Sequence, residues 1–296
     1  LKKVYRCHVS GFQNKKNVLN RLKIPYKISS TQNSDIISYS DNYGDHKFIY
    51  AEGMKVSVKE LILQKKLKKE IIENTKDKKI KFHNKKIYFN EFDSSLRYMV
   101  ETTGDCLDIK NVIEMDITKA YYQVAFNLGY ISKKFFEVTL KLPKHIRLRL
   151  LGSIATKKII ETFENGESVS FKIIEDLQMR DIWFSICYEV GRVMKECSKA
   201  IQEYFIFYWV DGIYFQRHPK FETKNDPVSQ IIQKIFQKNS LKYSVTELEK
   251  ISLQNINNNI MLQCWKDGKI KSNFSVPHKK MKKYVLSPSK EYIYGD

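Results

Sequence analysis

Two apolar, β-prone runs separated by an Asp-Gly dipeptide restrict this chain more than any other feature. Phe205-Ile-Phe-Tyr-Trp-Val210 precedes Asp211-Gly212, and Ile213-Tyr-Phe215 follows. The first run reads as a buried strand and the last as its return strand. Asp-Gly between them is a strong hairpin signal. A second strand is expected over Asn111-Val-Ile-Glu-Met-Asp-Ile117. A helical pattern follows at once, with Ala120, Tyr121, Val124, Ala125 and Leu128 on one stripe.

Further helices are expected over 56–73, 144–163, 181–204 and 227–239, where apolar residues recur near a 3.6 period. Residues 1–52 are polar and rich in Tyr, Ser and Asn, and read as short strands and loops. Residues 74–86 form a basic, turn-rich stretch, and a mixed segment rich in Lys and Asn runs from 240 to the end. No internal repeat has solenoid spacing. The fold class expected is α+β: an antiparallel sheet backed by the helices at 144–163 and 181–204. The division expected is a small N-terminal basic α+β region over 1–100, a larger domain over 101–286, and a C-terminal tail over 287–296.

Charge narrows the partners. Lys and Arg number 52 against 33 Asp and Glu, leaving a formal net charge of +19 and a pI near 9.5. Part of the lysine excess reads as proteome bias, but the shortage of acidic residues does not. Such a balance points to an acidic polymer, nucleic acid first. The abundant Tyr and Phe suit base stacking. Cys7, Cys106, Cys187, Cys197 and Cys264 are scattered, with no zinc spacing, which suits a reducing compartment. No apolar run reaches the length of a membrane span, and no signal peptide is legible. The chain begins at Leu1, so a targeting segment could precede it. A cytoplasmic or virion-associated location is expected, not secretion.

Asp116 ends the first strand and Asp211 lies at the hairpin tip. Nucleotidyl transfer needs two divalent cations about 3.5–4 Å apart. Magnesium favours oxygen ligands and keeps several waters. Two carboxylates on rigid elements meet that need. Glu114 alternates to the same strand face as Asp116 and is a further ligand candidate, or else an exposed partner for a lysine. His145, His218 and His278 stand isolated and read as surface or backbone-bonded histidines.

At this point the chain resembles the family B DNA polymerases. Asp116-Ile-Thr-Lys-Ala-Tyr-Tyr-Gln123 is similar to motif A of that family, Asp-x-x-Ser-Leu-Tyr-Pro-Ser. Val210-Asp211-Gly-Ile-Tyr214 is similar to the Thr-Asp-Ser-Ile-Phe half of motif C, with Trp209 in place of its first Asp. Cys187-Tyr-Glu-Val-Gly191-Arg192 resembles Thr-x-x-Gly-Arg. Glu247-Leu-Glu-Lys250 resembles a downstream Glu-Leu-Glu-Lys, and Lys282-Lys283-Tyr284 resembles Lys-x-Tyr. Arg147-Leu-Arg-Leu-Leu-Gly-Ser-Ile-Ala155 falls where motif B belongs but lacks its Asn and Tyr-Gly.

The resemblance covers roughly residues 111–286 and implies a palm domain. It implies Asp116 and Asp211 as catalytic metal ligands for two Mg2+ ions, with Mn2+ as a substitute. It implies nucleotide contacts from Tyr121, Arg147, Lys144 and Lys157, Tyr121 being the gate that excludes ribose. Arg192, Lys282, Lys283 and Tyr284 would contact nucleic acid. The partners implied are a DNA primer–template and nucleoside triphosphates, with no membrane.

Departures from the family keep three readings open. About twenty residues separate motif A from motif B, so fingers are vestigial. Little follows Tyr284, so a normal thumb is missing, and the first 110 residues hold no Asp-x-Glu of a proofreading exonuclease. The chain is a minimal polymerase, a part of a longer or multi-chain one whose other chains supply fingers or thumb, or a catalytically inactive palm relative. That last reading makes it a nucleic-acid-binding or structural component of a phage or plasmid assembly. A reverse transcriptase is disfavoured, because Gly212 stands where that family pairs a second aspartate.

Overall fold

Strand β7 (Leu107–Ile117) organises the larger sheet because its two faces differ. Ile113, Met115 and Ile117 are buried on one side, while Val112, Glu114 and Asp116 alternate to the other. The computed structural model describes residues 3–8, 11–31, 34–42, 44–51, 58–78, 80, 86–103, 106–155, 158–164, 167–174, 176–256, 259–277, 284–286 and 292–294. They divide into two compact units, Leu1–Lys68 with Leu148–Leu177, and Lys69–Arg147 with Gln178–Asp296. The class is α+β, with eight helices and a seven-stranded antiparallel sheet among the described residues.

The first unit holds a four-stranded sheet in the order β1 (Lys3–His8), β4 (Gly44–Ala51), β3 (Ser34–Asp41), β2 (Tyr26–Thr31). Helix α1 (Phe12–Arg21) buries Leu19 against Ile37, Tyr39 and Tyr50 of this sheet. A separate hairpin pairs β8 (Lys158–Glu164) with β9 (Glu167–Ile174). The helix expected over 144–163 therefore stops early: α6 runs Lys144–Gly152, and strand begins at Lys158. The β-branched Ile159, Ile160 and Thr162 and the turn-favouring Asn165-Gly166 account for the change. Helix α2 (Val58–Thr75) and α6 each carry the boundary between the units.

The second unit is built on the sheet β14-β13-β12-β7-β11-β10-β6, with β6 spanning Asn90–Phe92, β10 Phe205–Trp209 and β11 Gly212–Gln216. In the mixed segment from 240 the sequence suggested no particular element. The segment forms β12 (Tyr243–Ile256), β13 (Asn259–Lys266) and β14 (Lys269–Pro277), an antiparallel meander on β7. Asp267 and Gly268 turn it with φ of 50° and 69°, as a tight hairpin between right-twisted strands requires. The sheet curls until β14 meets the hairpin strands. The Phe274 ring lies 5.2 Å from Phe207, 5.3 Å from Trp209 and 5.6 Å from Tyr214. Val112, Tyr214, Leu248, Leu262 and Cys264 fill the enclosed core.

Helix α3 (Ser94–Thr103) adds Val100 to that core. Helix α4 (Ala120–Asn127) follows β7 directly, then come α5 (Lys133–Leu140), α7 (Leu177–Ala200) and α8 (Pro227–Lys238). Of these, α7 packs Phe184 and Cys187 on Ile87 of β5 (Lys86–Ile87). Strand β5 pairs with β15 (Tyr284–Leu286), which pairs with β16 (Tyr292–Tyr294). No helix among the described residues is long and apolar enough to cross a membrane.

Candidate metal and nucleotide site

Antiparallel register brings the two aspartates together. Asp116 faces Gly212 across β7 and β11, and Ser244 of β12 lies on its other side in the same row. Asp211 immediately precedes Gly212, and its carbonyl accepts the Ile117 amide at 2.9 Å. The turn is displaced by one residue from the one the sequence suggested. Trp209 pairs with Gly212, so Val210 and Asp211 form the turn and Gly212 opens β11. A Cβ on Gly212 would lie 3.3 Å from Asp116 Oδ1, tighter than an ordinary contact. The glycine clears space for the carboxylate, while Val210 takes the positive φ of 58°. A β-branched residue in that region costs on the order of 1–3 kcal/mol. Lys119 at the start of α4 is also left-handed, with φ 54°.

Both aspartates are half-buried. Burial pushes Asp116 up to about 7, helped by the charges of Asp211 and Glu114 and opposed by Lys144 and Lys271. Burial also raises Asp211, against a backbone hydrogen bond and Lys144. The exposed ammonium of Lys144 thus acts on both carboxylates. Glu114 is buried rather than exposed. It accepts the Tyr214 hydroxyl at 2.9 Å and pairs with Lys271. Nothing in the sequence singled out Lys271; it reaches Glu114 only because the sheet curls.

A hard cation suits this donor set. The groups are oxygens only, and burial, with a smaller contribution from the Asp211 charge, favours a proton on Asp116 in the metal-free protein. Among the described residues, no group of three or more His, Cys, Asp or Glu is arranged to hold a metal ion. The arrangement is a pair, with Glu114 engaged by a lysine. Magnesium is commonly held by one or two carboxylates together with substrate phosphates and water.

The remaining residues divide. The Tyr121 ring tilts against Trp183 at 5.3 Å and packs with Ile87, Phe184 and Cys187. Burial raises its phenol, with smaller contributions from Cys187 and Asp211. Tyr122 is the more buried of the two and donates to the Arg147 carbonyl at 2.9 Å. Arg147 itself donates from Nη1 to the Leu142 carbonyl at 2.5 Å. Arg192 is braced by Glu189 at 2.7 Å, Glu196 at 3.0 Å and Asn239 at 2.6 Å, and so ties α7 to the end of α8. The amides of Ile117 and Thr118, next to Asp116, are taken by Asp211 and Lys242 carbonyls. Lys157, Lys282, Lys283 and His278 lie outside the described residues, as does much of the 74–86 stretch; Tyr284 is described as strand backbone only. Arg149 pairs with the buried Glu60 at 2.6 Å.

No family model matches this chain, and no curated protein does.

Proposed function

We propose that the chain carries out template-directed nucleotidyl transfer in the manner of a pared-down family B DNA polymerase. The observation that carries the reading is the pair Asp116 and Asp211. They end one strand and tip the neighbouring hairpin, half-buried, with Gly212 leaving room between them and Lys144 acting on both. Asp116 and Asp211 would hold two Mg2+ ions, or Mn2+, which when bound supply activation of the primer hydroxyl and neutralisation of triphosphate charge.

The chain's own residues do the rest. Lys144, exposed beside the pair, offers a charged hydrogen bond to phosphate oxygens. Tyr121, braced by Trp183, presents a flat ring to the sugar of a bound nucleotide. Ser244, exposed in the row of Asp116, offers a hydroxyl on the opposite side from the hairpin. The positive charge of the chain holds a DNA primer–template. Other chains supplying fingers or thumb are compatible partners.

The test is primer extension by the purified chain with magnesium, wild type against Asp211→Asn. The substitution keeps shape and removes a ligand charge. Nucleotide addition should fall by several orders of magnitude while DNA binding holds. If both proteins are inert yet bind DNA equally, the chain is a non-catalytic nucleic-acid-binding component.

A further inference from the structure

Gly191 lies within α7 against the backbone of Tyr88. A methyl group there would come 2.5 Å from the Tyr88 carbonyl oxygen and 3.4 Å from its carbon. Ordinary carbon–oxygen contact begins at about 3.3 Å, so only glycine permits this approach. The same helix grips the segment further along. Lys195 pairs with Glu91 and sits 5.3 Å over the Tyr88 ring, and the Ser198 hydroxyl donates to Glu91 at 3.1 Å. The next carbonyl along, that of Phe89, accepts the Val210 amide at 2.6 Å. Asn90 then pairs with Trp209. Contacts therefore run unbroken from α7 through Tyr88 and Phe89 to the strained residue before Asp211.

We infer that Gly191 is a positioning residue for Asp211. Its missing side chain sets the height of the Phe89 carbonyl, which holds Val210 in the left-handed region and thereby aims the Asp211 carboxylate at Asp116. Any larger residue pushes Tyr88 outward, weakens the Phe89–Val210 bond and lets valine relax. A valine has every reason to leave that conformation, whereas a glycine at 210 would stay there unaided. The functional meaning rests on the proposed carboxylate pair; the geometry does not.

The full chain is compared with Gly191→Ala, Val210→Gly and the double variant. Amide hydrogen exchange at residue 210 and Mn2+ affinity by electron paramagnetic resonance are measured on each. In Gly191→Ala, exchange at Val210 should quicken about tenfold, the worth of one hydrogen bond. The β7–β12 ladder should keep its protection. Mn2+ affinity should drop about tenfold, as when a ligand's outer support is lost. Adding Val210→Gly should restore the affinity, a rescue that a purely structural role for Gly191 does not give. Unchanged exchange at Val210, or faster exchange without loss of Mn2+ affinity, or failure of the rescue, overturns the inference. If the wild type binds no Mn2+, the metal reading fails on its own, and the exchange data still decide whether Gly191 holds the hairpin tip. If Gly191→Ala does not fold, Val210→Gly alone decides. It should raise the melting temperature by a few degrees through released strain, and a lowered one overturns the inference.

Discussion

Gly212 stands directly across from Asp116, and a single added carbon on it would lie 3.3 Å from the Asp116 Oδ1 oxygen. The φ of Gly212 is not left-handed, so alanine fits the backbone there; its one tight contact is the end of the Asp116 side chain, with Tyr214 at ordinary distance. Gly212→Ala should therefore fold with a stability loss below about 1 kcal/mol. The carboxylate, however, must move by a few tenths of an ångström. Under the two-carboxylate reading, Mn2+ affinity should fall about tenfold, in line with losses seen when ligand support is disturbed. Melting temperature and a metal titration on one sample check both halves. Unchanged metal affinity would detach Gly212 from the site.

The raised Asp116 makes stability fall with pH in the metal-free protein. The folded state holds the Asp116 proton up to about pH 7, whereas an unfolded aspartate loses it near 3.9. Its stabilising contribution is thus complete below about pH 4 and is lost as pH rises through about 7. Asp116→Asn removes this dependence, so the variant should gain melting temperature over wild type between about pH 5 and pH 8. Magnesium added at the upper end should reverse the deficit, since the metal binds the ionised pair of the folded state and not the unfolded chain. A wild-type curve parallel to that of Asp116→Asn would remove the buried, like-charged carboxylate from the account.

Under the proposed function, Arg192 serves as a structural cation and Lys144 as a binding one. Arg192 meets Glu189, Glu196 and Asn239, and its loss leaves those acceptors short of donors. Arg192→Ala should cost about 1–2 kcal/mol, reduced by the solvent that reaches these partly exposed groups. The salt dependence of DNA binding should not change. Lys144→Ala should do the reverse, leaving melting unaltered and lowering the slope of log affinity against log salt by about 1. Fluorescence anisotropy over a salt series decides. A change in slope for Arg192→Ala alone would reverse the two assignments.

Much of the sheet's centre was legible, because buried elements write their periodicity in apolar residues. β7, α4, α7, β10, β11 and α8 all begin or end within a few residues of their expected bounds. The β12–β14 meander was missed because Lys, Asn and Ser alternate with its apolar residues and look like loop. Asp267-Gly268 was the available hairpin signal. Asn165-Gly166 likewise marked the β8–β9 hairpin, hidden behind an apparent continuation of α6. The places of Asp116 at a strand end and Asp211 in a hairpin turn could be read from the sequence, but the exact turn could not. Val210 rather than Gly212 takes the positive φ because tertiary contacts, the Phe89 carbonyl and the Asp116 carboxylate, override local turn preference. Lys271 beside Glu114 was invisible for the same reason, since only the curl of the sheet joins them.

Tyr121 offers the sharpest test of what the site acts upon. Its ring leans on Trp183 at 5.3 Å within a cluster that includes Ile87, Phe184 and Cys187, so truncation leaves a void. Tyr121→Ala should lose about 3–5 kcal/mol of stability, the usual cost of removing a packed aromatic. Under the nucleotidyl-transfer reading, the same ring also lies against the sugar of a bound nucleotide. Stability alone therefore does not separate packing from gating, and a milder set of variants is needed. Tyr121→Phe keeps the ring on Trp183 and should melt within a few degrees of wild type with unaltered sugar preference. Tyr121→Leu keeps apolar contact but removes the flat surface against which a deoxyribose would lie. Under the nucleotidyl-transfer reading, Tyr121→Leu should gain ribonucleotide incorporation relative to deoxyribonucleotide incorporation, while Tyr121→Phe does not. Competition between the two sugars on one primer measures this ratio independently of how much folded protein each variant yields. If Tyr121→Leu discriminates as wild type does, the ring is packing for α4 and α7, and the sugar contact falls to another residue.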